Sequence, residues 1–492
     1  MREWTREERY VALDRNDTEK LRALHDRISQ SIWRCSYHVQ TVTGLLGDTN
    51  GFSYFDGRWH LFYQWFPYGA VHGLKHWYHT SSEDLLTWKN EGLGIGPGEY
   101  YDDKGVFSGS GFPEGDVLYL PYTGNHRDEN WVRYPYQLLA WMDKDGVIHK
   151  QEEPLCGPIA GYTEHQRDPK MFFHEGYYYF LIGVQNEEKK GRFLLMRSKE
   201  IRSGWQIYGE LNVRGYDDFG FMVECPDLEK VGDQWLLLFS PQGLEPKGDE
   251  FRNVYNNTYF IGQMDFEHCE FIPNGPFKEL DRGLDFYAAQ CAGQNIWPNR
   301  AVLEAWFGVS DYIYEPTAEE DYSGLQTMAR ILTIENGALK QRPADDWKKL
   351  EETLCGEYDK DAETEMPRSA VIEVESNNSA VSLDLYGAED HPGFTVEYDP
   401  QSRYLTIERG HMENQINTKY GTDRRVHLEN GLSQMVIFAD ASSVEIFVND
   451  GEYVLSSRIF PTLQEHLFRL KQSDGKTALY KAARTVQDDF VL

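Results

Sequence analysis

The chain has 492 residues, 40% of them hydrophobic, 26% charged and 14% aromatic, with 49 basic against 80 acidic side chains and a formal net charge of −31. That length exceeds what one core usually encloses, so two or three domains are expected, and the acidic balance argues against nucleic acid or an anionic membrane as a partner. The opening residues MREWTREERY are charged, and no run approaches the ~18 apolar residues of a membrane helix, which predicts a cytoplasmic chain.

Residues 1–35 read as an N-terminal extension, in which Asp17 or Thr18 can cap a helix to about Ser31 with Leu21, Leu24 and Ile28 on one side. From 36 to 340 the pattern changes to short strands broken by Gly, Asp, Asn and Pro, with a hairpin signal at Phe55-Asp56-Gly57-Arg58. Five apolar runs recur there: WHLFYQ from Trp59, VLYLPY from Val117, YYYFLI from Tyr177, QWLLLF from Gln234 and VLEAWF from Val302. A polar motif precedes each, namely GDTNG at Asp48, FSGS at Ser108, RDP at Asp168, ECPDL at Glu224 and DFYAAQ at Tyr287, at intervals of 60, 60, 56 and 63 residues. One supersecondary unit used five times predicts a five-bladed β-propeller whose motifs project toward one channel. The charged stretch QRPADDWKKLEETL predicts a linker helix over 341–355, and the alternating strands of 356–492, with a tight turn at Asn449-Asp450-Gly451, predict an antiparallel β-sandwich. The fold class is therefore all-β with a short N-terminal helix.

Taken singly, Asp48 and Asp168 read as turn residues. Glu224, between Val223 and Cys225, is a carboxylate in an apolar stretch, where burial is expected to raise its pKa as a general acid requires. The shared phase of the three favours one site, because independent turn residues need not keep step with a strand period. GLGIGPG at 92–98 lacks the strand-then-helix context of a dinucleotide loop. His72, His76 and His79 lack the helix that metal-ligand spacing needs, and the six cysteines form no CxxC pair, so neither metal nor cofactor is expected.

From about Tyr37 to the C-terminus, the run TGLLGDTNGFSYFDGRWHLFYQ, HGLKHW, FSGS, RDPK, ECPDL, LDFYAAQ and SSVEIFVNDGE resembles glycoside hydrolase family 32, the β-fructofuranosidases. The resemblance implies a five-bladed propeller followed by a sandwich. It also implies a retaining reaction with Asp48 as nucleophile, Glu224 as acid and base, Asp168 as transition-state stabiliser and Arg167 orienting Asp168, the first two carboxyls standing about 5–5.5 Å apart. Glu224 is then expected to be protonated while Asp48 is charged. Leu45, Gly47, Gln64, Phe107, Ser108 and Tyr287 fall at its sugar-binding positions. Two motifs depart from the family pattern: Gly47 and Thr49 stand where Asn and Pro are usual, and EEDYSGLQTMARIL replaces a stretch that commonly carries Gly-Trp and Pro-Arg-Glu-Leu. The expected partner is a small sugar or sugar phosphate, foremost sucrose 6-phosphate, with Lys75, His76 and Arg133 as candidate phosphate contacts. Hydrolysis of unphosphorylated sucrose or short fructo-oligosaccharides, and sugar binding without catalysis, remain as alternatives; oligomeric state is not legible.

Overall fold

The hairpin at Phe55-Asp56-Gly57-Arg58 forms as the sequence suggests: Asp56 and Gly57 take φ of +46° and +79°, the left-handed pair of a two-residue turn, joining strands Gly44–Phe55 and Arg58–Phe66. In the computed structural model, which describes residues 2–98, 100–293 and 296–492, that hairpin starts the first of five antiparallel sheets. Their innermost strands are Gly44–Phe55, Val106–Gly109, Tyr162–His174, Met222–Val231 and Tyr287–Cys291. Each pairs with a strand that carries one of the five apolar runs. Those runs are largely buried because the blades pack face to face, so their outward and inward side chains both meet protein.

The inner strands touch in chain order and the fifth returns to the first, which makes a closed ring of blades. Polar links tie neighbour to neighbour. Gly109 N donates to Asn50 Oδ1 (3.0 Å), Ser110 Oγ to Pro169 O (2.8 Å), Cys225 N to Asp168 Oδ2 (2.9 Å), Cys291 N to Asp227 Oδ2 (2.7 Å), and Gly293 N to Phe52 O (2.8 Å). A parallel pairing of Gly44-Leu45 with Tyr322-Ser323 seals the join between last and first blades.

Every inner strand is interrupted at the same height by a β-bulge. Pairing jumps from Leu46 to Thr49, Val106 to Gly109, Arg167 to Lys170, Glu224 to Asp227 and Tyr287 to Gln290. A bulge leaves residues unpaired and re-aims their side chains. In the last three blades it needs a left-handed residue, and Asp168, Cys225 and Ala288 take φ of +68°, +44° and +51°. None is glycine, so each costs about 1–3 kcal/mol that the surrounding packing must offset.

Beyond the propeller, two six-stranded antiparallel sheets pack over a core that includes Ile372, Leu383, Val396, Ile437 and Ile446. Arg330 joins the domains: its fully buried guanidinium donates to Asp281 Oδ2 and Glu445 Oε2, both at 2.9 Å. Beside it, His38 is held between Asp440 Oδ2 (2.9 Å) and Glu445 Oε1 (3.1 Å).

Four boundaries differ from expectation. The last propeller strand, Ala338–Pro343, runs past residue 340. The expected linker helix is a single 3₁₀ turn, Trp347–Leu350, because strand Glu351–Tyr358 already belongs to the sandwich. The final residues leave the sandwich for the first blade, where Gln487 N donates to Trp88 O and Tyr78 OH to Val491 O (2.7 Å). At the N-terminus the helix spans Thr18–Ile28; Asp17 stands at its N-cap as expected, but its side chain makes no capping bond and accepts from Tyr68 OH (2.8 Å) instead. A short helix, Arg6–Arg9, with a Thr5/Glu8 capping box lies ahead of it.

Candidate active site

The five bulges bring the polar motifs to one mouth of the ring. Asp48 Oδ2 accepts from Ser108 Oγ at 2.5 Å, and Ser108 Oγ in turn accepts from Gln64 Nε2 at 2.5 Å, so three expected site residues form one chain across the first two blades. Asp168 is buried, its Oδ2 fixed by Cys225 N and its own N–H donating to Thr123 Oγ1 at 3.0 Å. Glu224, with a side chain 19% exposed and so open to a ligand, is gripped from three directions. Arg167 donates to Oε1 through Nε (2.9 Å) and Nη2 (2.7 Å), while Gln242 Nε2 (2.8 Å) and Tyr287 OH (2.5 Å) donate to Oε2. Phe107, next to Ser108, is half-buried and Gly47 is buried, while the half-buried Leu45 lines a neighbouring cavity with Trp306.

Arg167 therefore holds Glu224, not Asp168 as expected, and that changes the charge pattern. Burial pushes Asp48 above the usual carboxylate range, with Lys75 opposing it. Burial also pushes Asp168 up to about 7, against Arg167 and with Glu224 adding to the rise. Burial would raise Glu224 too, but the Arg167 guanidinium and the Tyr287 hydroxyl outweigh it and hold its pKa low. The shifts run against a raised pKa on Glu224 and a low one on Asp48: Glu224 is held low by its donors, and of the three carboxyls Asp168 is pushed up, to about 7. The apolar neighbours Val223 and Cys225 describe the strand's burial, whereas the donors that decide the charge cross over from other blades.

Lys75 lies at the mouth, its Nζ 4.9 Å from the Phe107 ring centroid and its charge lowering the pKa of both Asp48 and Glu224. Arg133 stacks on the same ring at 5.6 Å. His76 does not belong there. It is buried, its Nδ1 is 3.0 Å from Leu74 O, burial drops its pKa to about 4, and it lines a cavity with Ala12, Gly96 and Phe490 instead. Among the described residues one group could converge on a metal, Cys35, His38 and Asp440. It sits at the domain seam, where both His38 nitrogens already face carboxylates.

Residues 38–343 match the family description "Glycosyl hydrolases family 32 N-terminal domain", and residues 337–486 match "Glycosyl hydrolases family 32 C terminal". The chain belongs to glycoside hydrolase family 32. It is 38% identical over 489 residues to the sucrose-6-phosphate hydrolase of Staphylococcus xylosus, covering 97% of this chain and 98% of that one. Among solved structures, the sucrose-6-phosphate hydrolase of Lactobacillus gasseri superimposes with a TM-score of 0.90 at 33% identity, over 98% of this chain and 100% of that one. The Bombyx mori family 32 β-fructofuranosidase mutant in complex with sucrose superimposes with a TM-score of 0.84 at 30% identity, over 96% and 100%.

As a family 32 glycoside hydrolase, the chain carries its departures in one place. Thr49 Oγ1 donates to Gln326 Oε1 (2.6 Å), and Gln326 Nε2 donates to Gly47 O (3.0 Å). Gln326 comes from the divergent stretch EEDYSGLQTMARIL, so the two departures answer each other across the ring closure. A Cβ on Gly47 would stand 3.7 Å from Gln64, an ordinary contact, so packing does not demand glycine there. Gln326, Thr123 and Gln242 were not singled out from sequence. The latter two carry a signal nonetheless: each, like Gln64, is a polar residue near the end of an apolar second-strand run.

Proposed function

We propose that the protein is a retaining β-fructofuranosidase that hydrolyses sucrose 6-phosphate to glucose 6-phosphate and fructose in the cytoplasm. The observation that carries the reaction is the convergence of Asp48, Asp168 and Glu224 from the bulges of the first, third and fourth blades, with Arg167 and Tyr287 reaching Glu224 from the blades on either side. The substrate rests on relatives named sucrose-6-phosphate hydrolases that align along almost the whole chain.

A carboxylate oxygen of Asp48 attacks C2 of the fructosyl unit, the C2–O bond to glucose breaks, and its electron pair passes to the leaving oxygen, which takes a proton from Glu224. Water then gives its proton to Glu224 and attacks C2, freeing Asp48. Glu224 must be protonated for the first step, and the proton is available within the cluster. Fructose hydroxyls donating to Asp168 favour its ionised form, which moves the shared proton toward Glu224. Asp168 then gains most as the ring becomes oxocarbenium-like, the differential binding that lowers the barrier.

A second reading, hydrolysis of unphosphorylated sucrose, is favoured by the Bombyx mori neighbour solved with sucrose. Comparing kcat/KM for the two sugars separates them. A clear preference for sucrose 6-phosphate supports the proposal, and equal or better use of sucrose defeats it.

A further inference from the structure

Residues 2–13 run along the rim of the mouth and are pinned at both ends. On one side the Trp4 ring packs over Gly69, where an added Cβ would meet it at 2.2 Å, and Leu74 N donates to Arg9 O at 2.7 Å. On the other, Tyr10 meets the Trp131 ring edge-on at 5.0 Å and Arg6 lies 4.6 Å over the same ring. The segment thus bridges the loop after the first blade's second strand to a loop of the second blade. Between it and the propeller lies a cavity of about 280 Å³.

The walls of this cavity are mixed, and one carboxylate, Asp311, stands among them, accepting from Tyr255 OH at 2.9 Å. The ring contributes Leu45, three residues before Asp48, and Trp306, which pairs across the strand with Tyr287, the donor to Glu224. These are apolar and aromatic faces suited to a pyranose ring. The N-terminal segment contributes cations. Arg2 is taken by Glu8, but Arg9, whose Nε donates to His72 O at 2.6 Å, forms no ion pair among the described residues. In a chain of net charge −31, a guanidinium with no ion-pair partner among the described residues, held by its own backbone and Nε beside the catalytic mouth, is a site for an anion.

We propose that this cavity receives the non-fructosyl half of the substrate and that Arg9 binds its phosphate. The inference rests on the sucrose 6-phosphate reading above and makes the N-terminal segment part of the active site. The guanidinium fork can meet two phosphate oxygens, and the anchored Nε leaves its terminal nitrogens for that contact. Lys75, on Phe107, lies nearer the reacting carboxylates, where its charge acts on Asp48 and Glu224.

The test measures kcat/KM for sucrose 6-phosphate and for sucrose in the full-length enzyme and in Arg9→Gln, Arg9→Lys and Lys75→Met. It also measures inhibition of sucrose hydrolysis by glucose 6-phosphate. In Arg9→Gln the ratio of the two kcat/KM values falls about tenfold or more through KM for the phosphorylated sugar, Arg9→Lys recovers part of it, and glucose 6-phosphate inhibits more weakly. A purely structural lesion lowers both sugars by one factor and leaves the ratio unchanged, which overturns the inference. So does collapse of the ratio in Lys75→Met with Arg9→Gln at the wild-type value. A wild-type enzyme with no preference for the phosphate removes the substrate reading itself, and the inference with it.

Discussion

Glu224 accepts from Arg167, Gln242 and Tyr287 at once, and each of those donors favours its ionised form. Asp168 and Glu224 each shift the other's pKa, so on the proposed mechanism the proton for leaving-group departure is shared between them, and with Asp168 pushed up to about 7 it is expected to be lost near that pH. Because a raised pKa keeps the proton on up to that pH, kcat/KM is expected to fall as pH rises past about 7. Tyr287→Phe removes a donor that stabilises charged Glu224, which raises the pKa of Glu224 and shifts the alkaline limb upward. A hydrogen bond to a charged group is worth about 1.5–3 kcal/mol, which sets the shift at about one unit or more. A pH–rate profile that stays in place, or moves downward, contradicts this charge assignment.

The β-bulge is the element on which the site depends, and its use in all five blades explains why motifs about sixty residues apart act together. The periodicity was visible in the residues because each blade repeats an apolar second strand, and strand burial writes itself into composition. The bulges were not visible: nothing in Val223-Glu224-Cys225 announces that Cys225 turns left-handed, since the conformation is imposed by the neighbouring blade. The same limit hid Gln326, whose partners Gly47 and Thr49 lie more than 270 residues earlier. Gln326 is fully buried, so Gln326→Ala strands a hydroxyl and a carbonyl at a cost of about 1–3 kcal/mol. A double-mutant cycle with Thr49→Val, read by thermal midpoint and kcat, is expected to be non-additive, the double variant losing little more than Gln326→Ala alone. Additive losses contradict the clamp.

At the scale of the molecule, the propeller, the sandwich and the two chain ends make one assembly. Arg330 and His38 cross the domain seam, and residues 487–491 return to the first blade. Domain order and fold class were legible because strand alternation and turn chemistry are local. The misplaced linker helix and the stray C-terminal tail were not, because a charged amphipathic stretch reads alike as helix or as the edge of a sheet until its partners are known. His76 differs from expectation because it opens the strand His76–Ser82 and is buried there, whereas Lys75 lies in the loop before that strand and reaches the Phe107 ring at the mouth.

The central claim is that these distant strands deliver Asp48 to the anomeric carbon as a nucleophile. Its most direct test is mass spectrometry of Glu224→Gln denatured during turnover of a fructoside with a good leaving group, since departure then needs little acid help while release of the intermediate stays slow. A hexosyl adduct on the peptide of Gly44–Phe55, localised to Asp48 and absent from Asp48→Asn, is the expected result. Rapid turnover with no adduct, or an adduct on another carboxylate, contradicts the account.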